Sequence, residues 1–375
     1  MNAKIDRFFA EHRPATPCLV VDVSVVGDNY AALAQAMPSA KIYYAIKANP
    51  APEVLRLLVG LGSYFDTASV AEIDMVLAAG ATPDRISYGN TIKKQVDITA
   101  ARQRGVALFA FDSEEELDKI AAAAPGARVF CRIETSGEGA EWPLSHKFGC
   151  SHAAARRLLC RAVDLGVEPY GISFHVGSQQ RYPKQWDRAI ADTAALFADL
   201  AAQGVKLRMI NLGGGFPARY RQEIPSPEVY GAVIDESLRR HFGNHIPEVL
   251  IEPGRGLVGG AGMIETEVVL VTTRVNGDSR RWVYLDIGKY GGLLESIDEA
   301  IQYPIISDRE GPDGPVVLAG PTCDSTDVLY DKANYRLPLS LRIGDRIRIH
   351  SAGAYTTTYA SIGFNGFAPL AEYYI

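Results

Sequence analysis

The chain has 375 residues, 47% of them apolar and 22% charged, the balance of a globular protein with a large core, which excludes disorder and low-complexity fibres. A formal charge of −6 with no basic run disfavours nucleic acid, and no apolar run approaches the roughly 20 residues a membrane span needs. Five cysteines (Cys18, Cys131, Cys150, Cys160, Cys323), without C-x-x-C spacing, predict a reduced, cytoplasmic chain, and the opening MNAKIDRFFAEHRP shows no apolar signal-peptide core.

In chain order, short β-rich runs alternate with segments of helical period. A strand is predicted over 41–49 (KIYYAIKAN), followed by the helical PEVLRLLVGLG, and a second over 64–69 (YFDTAS), followed by SVAEIDMVLAAG. Strands follow over 85–90 (RISYGN) and 108–113 (LFAFDS), then the helical SEEELDKIAAAA, then a strand over 128–134 (RVFCRIE). The series ends with strands over 170–178 (YGISFHVGS), 207–215 (LRMINLGGG) and 248–255 (EVLIEPGR), with the helical PKQWDRAIADTAALFADLAAQG after the first of these. Ser or Pro opens several helical segments and Gly closes them. Eight such units predict an α/β chain with a closed (β/α)8 TIM-type barrel over 22–255. Beyond it, EVVLVTTRV, RRWVYLDIG, GPVVLAG and DRIRIHSAG are short, β-branched and separated by Gly, Pro and Asp. They predict a mostly antiparallel β domain over 256–375, which residues 1–21 join.

In such a barrel, chemistry gathers at the carboxyl ends of the strands. The residues expected there are Lys47, Asp66, Arg132, His175, Ser178, the run Gly213, Gly214 and Gly215, Glu252, and Arg255. Lys47 in YYAIKANP reads either as a strand-end lysine snorkelling to solvent or as a Schiff-base lysine whose apolar setting frees the amine. NLGGGFP reads as a tight turn or as a nest of backbone N–H groups for a phosphate, and EPGR adds a guanidinium to the same rim. No G-x-G-x-x-G follows a first strand and no P-loop is present. Glu252 reads as a salt-bridge partner of Arg255 or as a carboxylate that keeps a pyridine nitrogen protonated. His175 could be a core residue, a stacking plate or a ligand. His241 and His245 lack an H-e-x-x-H context, so no metal is expected. Cys323 in GPTCDSTD reads as a small buried residue or as an accessible proton donor, with Asp324 beside it to hold a cationic substrate.

Taken together, YYAIKANP, FDTAS, FHVGSQ, NLGGGFP, EPGR, GPTCDSTD and GAYTTTY resemble the fold-type III, pyridoxal-phosphate-dependent basic amino acid decarboxylases, in particular the short bacterial ornithine and lysine/ornithine enzymes. The resemblance runs in order over nearly the whole chain. It implies pyridoxal 5′-phosphate as cofactor and a head-to-tail homodimer with shared active sites. It implies that Lys47 carries the cofactor, that Glu252 faces the ring nitrogen and that His175 stacks on the ring. Ser178, Gly214, Gly215, Gly254, Arg255 and Tyr355 belong to the cofactor's phosphate and its surroundings, and Asp66 and Arg132 to the shell around Lys47. Cys323, as proton donor, and Asp324 enter from the other subunit, Lys147 of HKFG pairs with Asp327 across the dimer, and Phe364 of GFNGF lines the pocket. After Tyr290-Gly291, the stretch GGLLESIDEAIQYP departs from the eukaryotic ornithine enzymes. Glu295, Asp298 and Glu299 are alternative grips for a distal ammonium.

The implied reaction is decarboxylation of a basic L-amino acid, ornithine to putrescine first, in polyamine biosynthesis. Lysine, both substrates, or a specialised amino-acid intermediate are the alternatives. An alanine-racemase-like enzyme places an arginine at the pyridine nitrogen, where this chain has Glu252, and a diaminopimelate decarboxylase reads Cys-Glu-Ser where this chain has Cys323-Asp324-Ser325. A non-catalytic regulatory paralogue tends to lose the lysine or the cysteine, and both are present here.

Overall fold

Short apolar runs that β-branched and aromatic residues bias toward strand are separated by helices with built-in start signals, and this alternation sets the architecture of the computed structural model, which describes residues 2–142, 147–273 and 280–375. Ser69 caps its helix by accepting from the Glu72 N–H at 3.2 Å, while Glu72 accepts from the Ala68 N–H at 2.6 Å, a reciprocal capping box. Ser113 and Ser151 cap two more helices by accepting from the Glu116 and Ala154 N–H groups, without the return bond, and Pro52 and Pro227 open two others.

The chain opens with α1 (Ala3–His12), β1 (Cys18–Val21) and α2 (Val23–Ala36). There follow β2 (Ala40–Ala45), α3 (Pro52–Gly60), β3 (Tyr64–Thr67), α4 (Val70–Ala78), β4 (Ile86–Tyr88), α5 (Gln95–Gln103) and β5 (Leu108–Phe111). Next come α6 (Glu114–Ala123), β6 (Arg128–Arg132), α7 (His152–Asp164), β7 (Glu168–Ser173), α8 (Gln185–Ala202), β8 (Met209–Asn211), α9 (Pro227–Phe242), β9 (Glu248–Ile251) and α10 (Arg255–Val258). Strands β2 to β9 form a closed barrel in which every pairing is parallel, β9 returning to β2 through Ala40↔Val249, Lys41↔Leu250 and Ile42↔Ile251. All eight predicted strands are barrel strands, but most end earlier than the sequence patterns. Lys47, His175, Ser178, Gly213 to Gly215 and Glu252 lie just past the strand ends, where the backbone is free to turn into mouth loops.

The barrel is filled, not hollow. Tyr43, Leu108, Ala110, Phe130, Met209 and Leu250 form its buried cluster, with Tyr64 and Tyr170 packed against it. At the other end of the strands, Lys41 pairs with Glu248, and the Tyr170 hydroxyl donates to Glu248 at 2.6 Å. That end carries an ion pair; the loops past the other end carry Lys47, His175, Ser178 and Glu252.

The chain divides into two compact units, Gly27–Pro217 with Ile224–Gly256, and Met1–Val26 with Ala218–Glu223 and Leu257–Ile375. The second unit adds β10 (Gly262–Thr273), β11 (Arg281–Leu285), β12 (Ile305–Ser307), β13 (Asp313–Ala319), β14 (Val328–Tyr330), β15 (Arg336–Pro338), β16 (Arg346–His350) and β17 (Ala371–Tyr374). With β1 they make a nine-stranded, mostly antiparallel sheet of order β12-β16-β10-β11-β13-β14, β1 pairing with β10 and β17, and β15 with β13. The last two residues of the predicted run EVVLVTTRV, and His146 of HKFG, lie outside the described residues. Among the described residues, no helix is long and apolar enough to cross a membrane.

Candidate functional site

Lys47 occupies a single 3-10 turn, Ile46–Ala48, between β2 and α3. Ile46 and Ala48 on either side are fully buried, so the turn is anchored by its neighbours while the lysine itself is exposed. The following Asn49 is locked: its carbonyl accepts from the Tyr44 hydroxyl at 2.8 Å, and its Oδ1 accepts from the Ala51 N–H at 3.1 Å. Among the described residues Lys47 has no hydrogen-bond or ion-pair partner, so its amine is held up on a rigid turn without being neutralised by any one acid.

The acids near it share that role. Burial, and then the charge of Glu252, push the Asp66 carboxyl well above its ordinary value, against the pull of Lys47. Burial likewise raises Glu72 and Glu252, with Lys47 lowering both. Arg132, at the end of β6, is half-buried, and desolvation pushes its guanidinium down while Glu252, Asp112 and Asp66 favour its charged form. Its guanidinium lies 4.9 Å from the Phe148 ring centre. Lys47 and Arg132 thus stand among three carboxyl groups, Asp66, Glu72 and Glu252, whose pKa values burial raises.

Glu252 is aimed by Asn211. The Asn211 amide donates to Glu252 Oε1 at 2.5 Å, its Oδ1 accepts from the Gly213 N–H at 2.9 Å, and the Glu252 N–H donates to the Gly213 carbonyl at 2.8 Å. This ties the carboxylate to the glycine run. A hydrogen bond donated to a carboxylate favours its charged form. His175, past β7, accepts from the Gly177 N–H at Nδ1, 3.0 Å, which places the proton of a neutral ring on Nε2. Burial, then Arg132 and Lys47, hold its pKa well below the ordinary 6.5, so the ring is a neutral plate.

The glycine run packs too closely on its neighbours for any side chain. A Cβ on Gly214 would stand 2.7 Å from the Glu252 carbonyl oxygen and 3.0 Å from His175 Nε2, and one on Gly215 (φ 98°) 2.6 Å from the Gly177 carbonyl oxygen. Arg255, 3% exposed at the start of α10, donates to Ser178 Oγ at 3.3 Å. Bare backbone, a hydroxyl and a buried guanidinium suit a phosphate. An amine, an aimed carboxylate, a neutral ring and an anion cradle on one barrel mouth fit pyridoxal 5′-phosphate.

The other candidates lie in the second unit. Cys323 is exposed in the loop between β13 and β14. Its N–H donates to Asn365 Oδ1 at 3.0 Å, and the Asn365 amide donates to its Sγ at 3.3 Å. Asp324 is partly exposed and closes a local turn by accepting from the Thr326 N–H and hydroxyl at 2.8 and 2.6 Å, bonds that lower its pKa. The Tyr290 hydroxyl meets Thr326 Oγ1 at 2.8 Å, and the Tyr290 and Phe364 rings are 4.6 Å apart. Tyr355 is 9% exposed at a left-handed φ of 56°.

The three acids after Tyr290 differ sharply. Glu295 is 5% exposed, and Glu299 Oε1 accepts the N–H groups of Asp331 and Lys332 at 2.7 Å each. Asp298 is exposed, at φ 51°, with no hydrogen-bond partner among the described residues. Asp327 is 2% exposed and already holds three hydrogen bonds, from the Lys289 N–H at 2.8 Å, the Thr322 N–H at 3.2 Å and the Thr322 hydroxyl at 2.7 Å. Lys147 is exposed, its ammonium 5.0 Å from the Phe148 ring centre. A lysine of another subunit would therefore have to share an aspartate whose main work is to pin its own loop.

Sequence reasoning passed over Asn211, Glu72 and Asn365. Asn211 stands directly before the glycine run, Glu72 completes Ser69-x-x-Glu72, and Asn365 lies inside GFNGF. Each was legible as a motif member, but its aim depends on a chain reversal that spacing does not encode.

Residues 24–259 match the family described as pyridoxal-dependent decarboxylase, pyridoxal binding domain. The chain is 35% identical over 362 residues to lysine/ornithine decarboxylase of Selenomonas ruminantium, covering 95% of this chain and 88% of that protein. It is 34% identical over 369 residues to antizyme inhibitor 2 of Xenopus laevis, covering 95% and 80%. The crystal structure of lysine/ornithine decarboxylase from Vibrio vulnificus complexed with cadaverine superposes with a TM-score of 0.89 at 30% identity, covering 100% of this chain and 98% of that one.

Proposed function

The chain belongs to the pyridoxal-dependent decarboxylases of basic amino acids, a family of carboxy-lyases, and from that premise we propose that it converts L-ornithine to putrescine and CO2. The observation that carries the chemistry is the Asn211–Glu252 bond of 2.5 Å on the same barrel mouth as Lys47 and His175. We assign Lys47 to the aldehyde of pyridoxal 5′-phosphate, Glu252 to its ring nitrogen, His175 to its ring face, and Ser178, Gly214, Gly215, Gly254 and Arg255 to its phosphate. When bound, the cofactor supplies an electron sink for the pair left behind by CO2.

The protein's own part is positioning and proton handling. Asn211 favours the charged form of Glu252, so that Glu252 keeps a proton at the nitrogen it faces. Neutral His175 covers the ring without adding a third cation beside Lys47 and Arg132. Asp66 and Glu72 set the electrostatic surroundings of the lysine amine, which would hold the cofactor's aldehyde. Cys323, held by Asn365, gives a proton to the carbon that has lost CO2.

We further propose a homodimer in which the loop carrying Cys323 and Asp324 serves the barrel of a second copy. Its support is the exposed apolar segment after Tyr355, with Ile362 84% and Phe367 47% exposed in the single chain. For the distal ammonium we choose Asp298 over Glu295 and Glu299, because its carboxylate is exposed and has no partner to give up. Lysine is the second reading, favoured by the names of the relatives from Selenomonas and Vibrio. The test is CO2 release from ornithine, lysine, arginine and diaminopimelate. Ornithine should give the highest kcat/KM, and Asp298→Asn should lower it about tenfold or more, the equivalent of about 1.4 kcal/mol. Preference for diaminopimelate, or an unchanged kcat/KM in the variant, would overturn the respective assignment.

A further inference from the structure

We propose that Cys131 and Cys150 are a dithiol modification site, oxidised to a disulfide by a hydroperoxide, independent of the cofactor groups. Cys131 lies on β6, and Cys150 lies beside the chain just beyond the end of that strand. Their Sγ atoms are 3.5 Å apart and hydrogen-bonded. The approach is fixed by the backbone: the Cys150 N–H donates to the Arg132 carbonyl at 3.0 Å, and the Glu134 N–H donates to the Cys150 carbonyl at 3.1 Å. Ile133 and Cys150 form a parallel bridge. Gly149 permits it, since a Cβ there would stand 2.7 Å from the Glu134 nitrogen, and its N–H is pinned to Asp112 Oδ2 at 2.8 Å. Two sulfurs held this way need side-chain rotation to reach bonding distance of about 2 Å, and the main-chain bonds can stay in place.

The two thiols are not equivalent. Cys131 is fully buried, whereas Cys150 is partly exposed. Their mutual hydrogen bond and burial push the Cys131 thiol up, while the same contact pulls the Cys150 thiol down. Cys150, the one that solvent reaches, is therefore the sulfur that meets an oxidant, and Cys131 the thiol that resolves it. The Cys150 sulfur attacks one peroxide oxygen, the O–O bond breaks, and the departing oxygen leaves as water, or as an alcohol from an organic hydroperoxide. The Cys131 sulfur then attacks the Cys150 sulfenic acid, the S–O bond breaks, and hydroxide leaves with the Cys131 proton as a second water. Two thiols and one peroxide give one disulfide, with the peroxide reduced. The disulfide would tie β6, one residue from Arg132, to the segment that follows it.

The other cysteines offer no such pair. Cys18 is buried and its thiol is pushed up to about 12, Cys160 donates to Gln203, and Cys323 is bonded to Asn365. The experiment treats reduced holoenzyme with hydrogen peroxide and reads intact mass and a non-reduced peptide map. The expected result is a loss of two hydrogens, one cross-linked peptide pair containing Cys131 and Cys150, and reversal by dithiothreitol. Cys150→Ser should remove the link, and Cys131→Ser should leave a Cys150 sulfenic acid that dimedone traps, whereas wild-type protein traps little. Added oxygens on Cys150 without a linked peptide, or a link joining other cysteines, would overturn the proposal. The wild-type map decides the matter even if a variant fails to fold.

Discussion

Replacing Asn211 by alanine separates the aim of Glu252 from its presence. The substitution removes a hydrogen bond of 2.5 Å donated to a buried carboxylate and one of 2.9 Å accepted from the Gly213 N–H. A hydrogen bond to a charged group contributes about 1.5–3 kcal/mol, which corresponds to roughly 10- to 150-fold weaker binding of a cofactor that needs Glu252 charged. The orphaned Gly213 N–H costs about 1–3 kcal/mol of fold stability by itself. Asn211→Asp distinguishes the two, because it keeps the acceptor for Gly213 but sets a like charge against Glu252. The assay is cofactor titration of the apoprotein by visible absorbance, alongside urea unfolding. Both variants should bind pyridoxal 5′-phosphate at least tenfold more weakly, with alanine losing more stability than aspartate. Binding within twofold of wild type in both variants would refute the role of Asn211 and weaken that of Glu252.

Gly214→Ala drives a methyl against the Glu252 carbonyl and His175 Nε2, so it should cost about 1–3 kcal/mol in urea unfolding and weaken cofactor binding. Unchanged binding would show that the cradle does not need bare backbone. Because burial holds His175 well below 6.5, its contribution to stability is present above 6.5 and is lost as pH falls from there toward its folded value. The loss is at most about 1.4 kcal/mol per pH unit from this residue, and His175→Gln should flatten the wild-type slope between pH 6.5 and 5.5; identical slopes would mean that the ring is not held neutral. Cys323→Ala should slow amine formation far more than it weakens cofactor binding, and a normal rate of product formation would remove Cys323 from proton delivery.

Much of the barrel could be read from the chain because its signals are local: Ser-capped and Pro-started helices, and apolar runs of strand length. The glycine run and EPGR were legible for the same reason, since a bare backbone and a guanidinium are visible in one dimension. The strand ends were not, because KIYYAIKAN stays apolar through Lys47 although the Tyr44 hydroxyl and the Asn49 carbonyl turn the chain after Ala45. Nor was the place of residues 218–223, a short excursion that joins the second unit between two barrel elements. The resemblance pairs Asp327 of GPTCDSTD with Lys147 of another subunit, and the sequence does not show that Gly288 and Gly320 pack so closely around it that a Cβ on either would stand 2.2 and 2.3 Å from its carboxylate. The Cys131–Cys150 approach was equally hidden, because it rests on a backbone bridge after β6 rather than on spacing.

The most direct test of the central claim is borohydride reduction of the holoenzyme followed by peptide mapping. The account predicts one phosphopyridoxyl group per chain, on Lys47, and none in Lys47→Ala. Lys93 is the informative control. It is a buried lysine whose pKa burial lowers to about 8, but its ammonium is already bound to Glu116 at 2.9 Å and to the Asn90 and Ala110 carbonyls at 2.7 Å each. Label on Lys93, or on any lysine other than Lys47, would contradict the account, as would full decarboxylase turnover by Lys47→Ala.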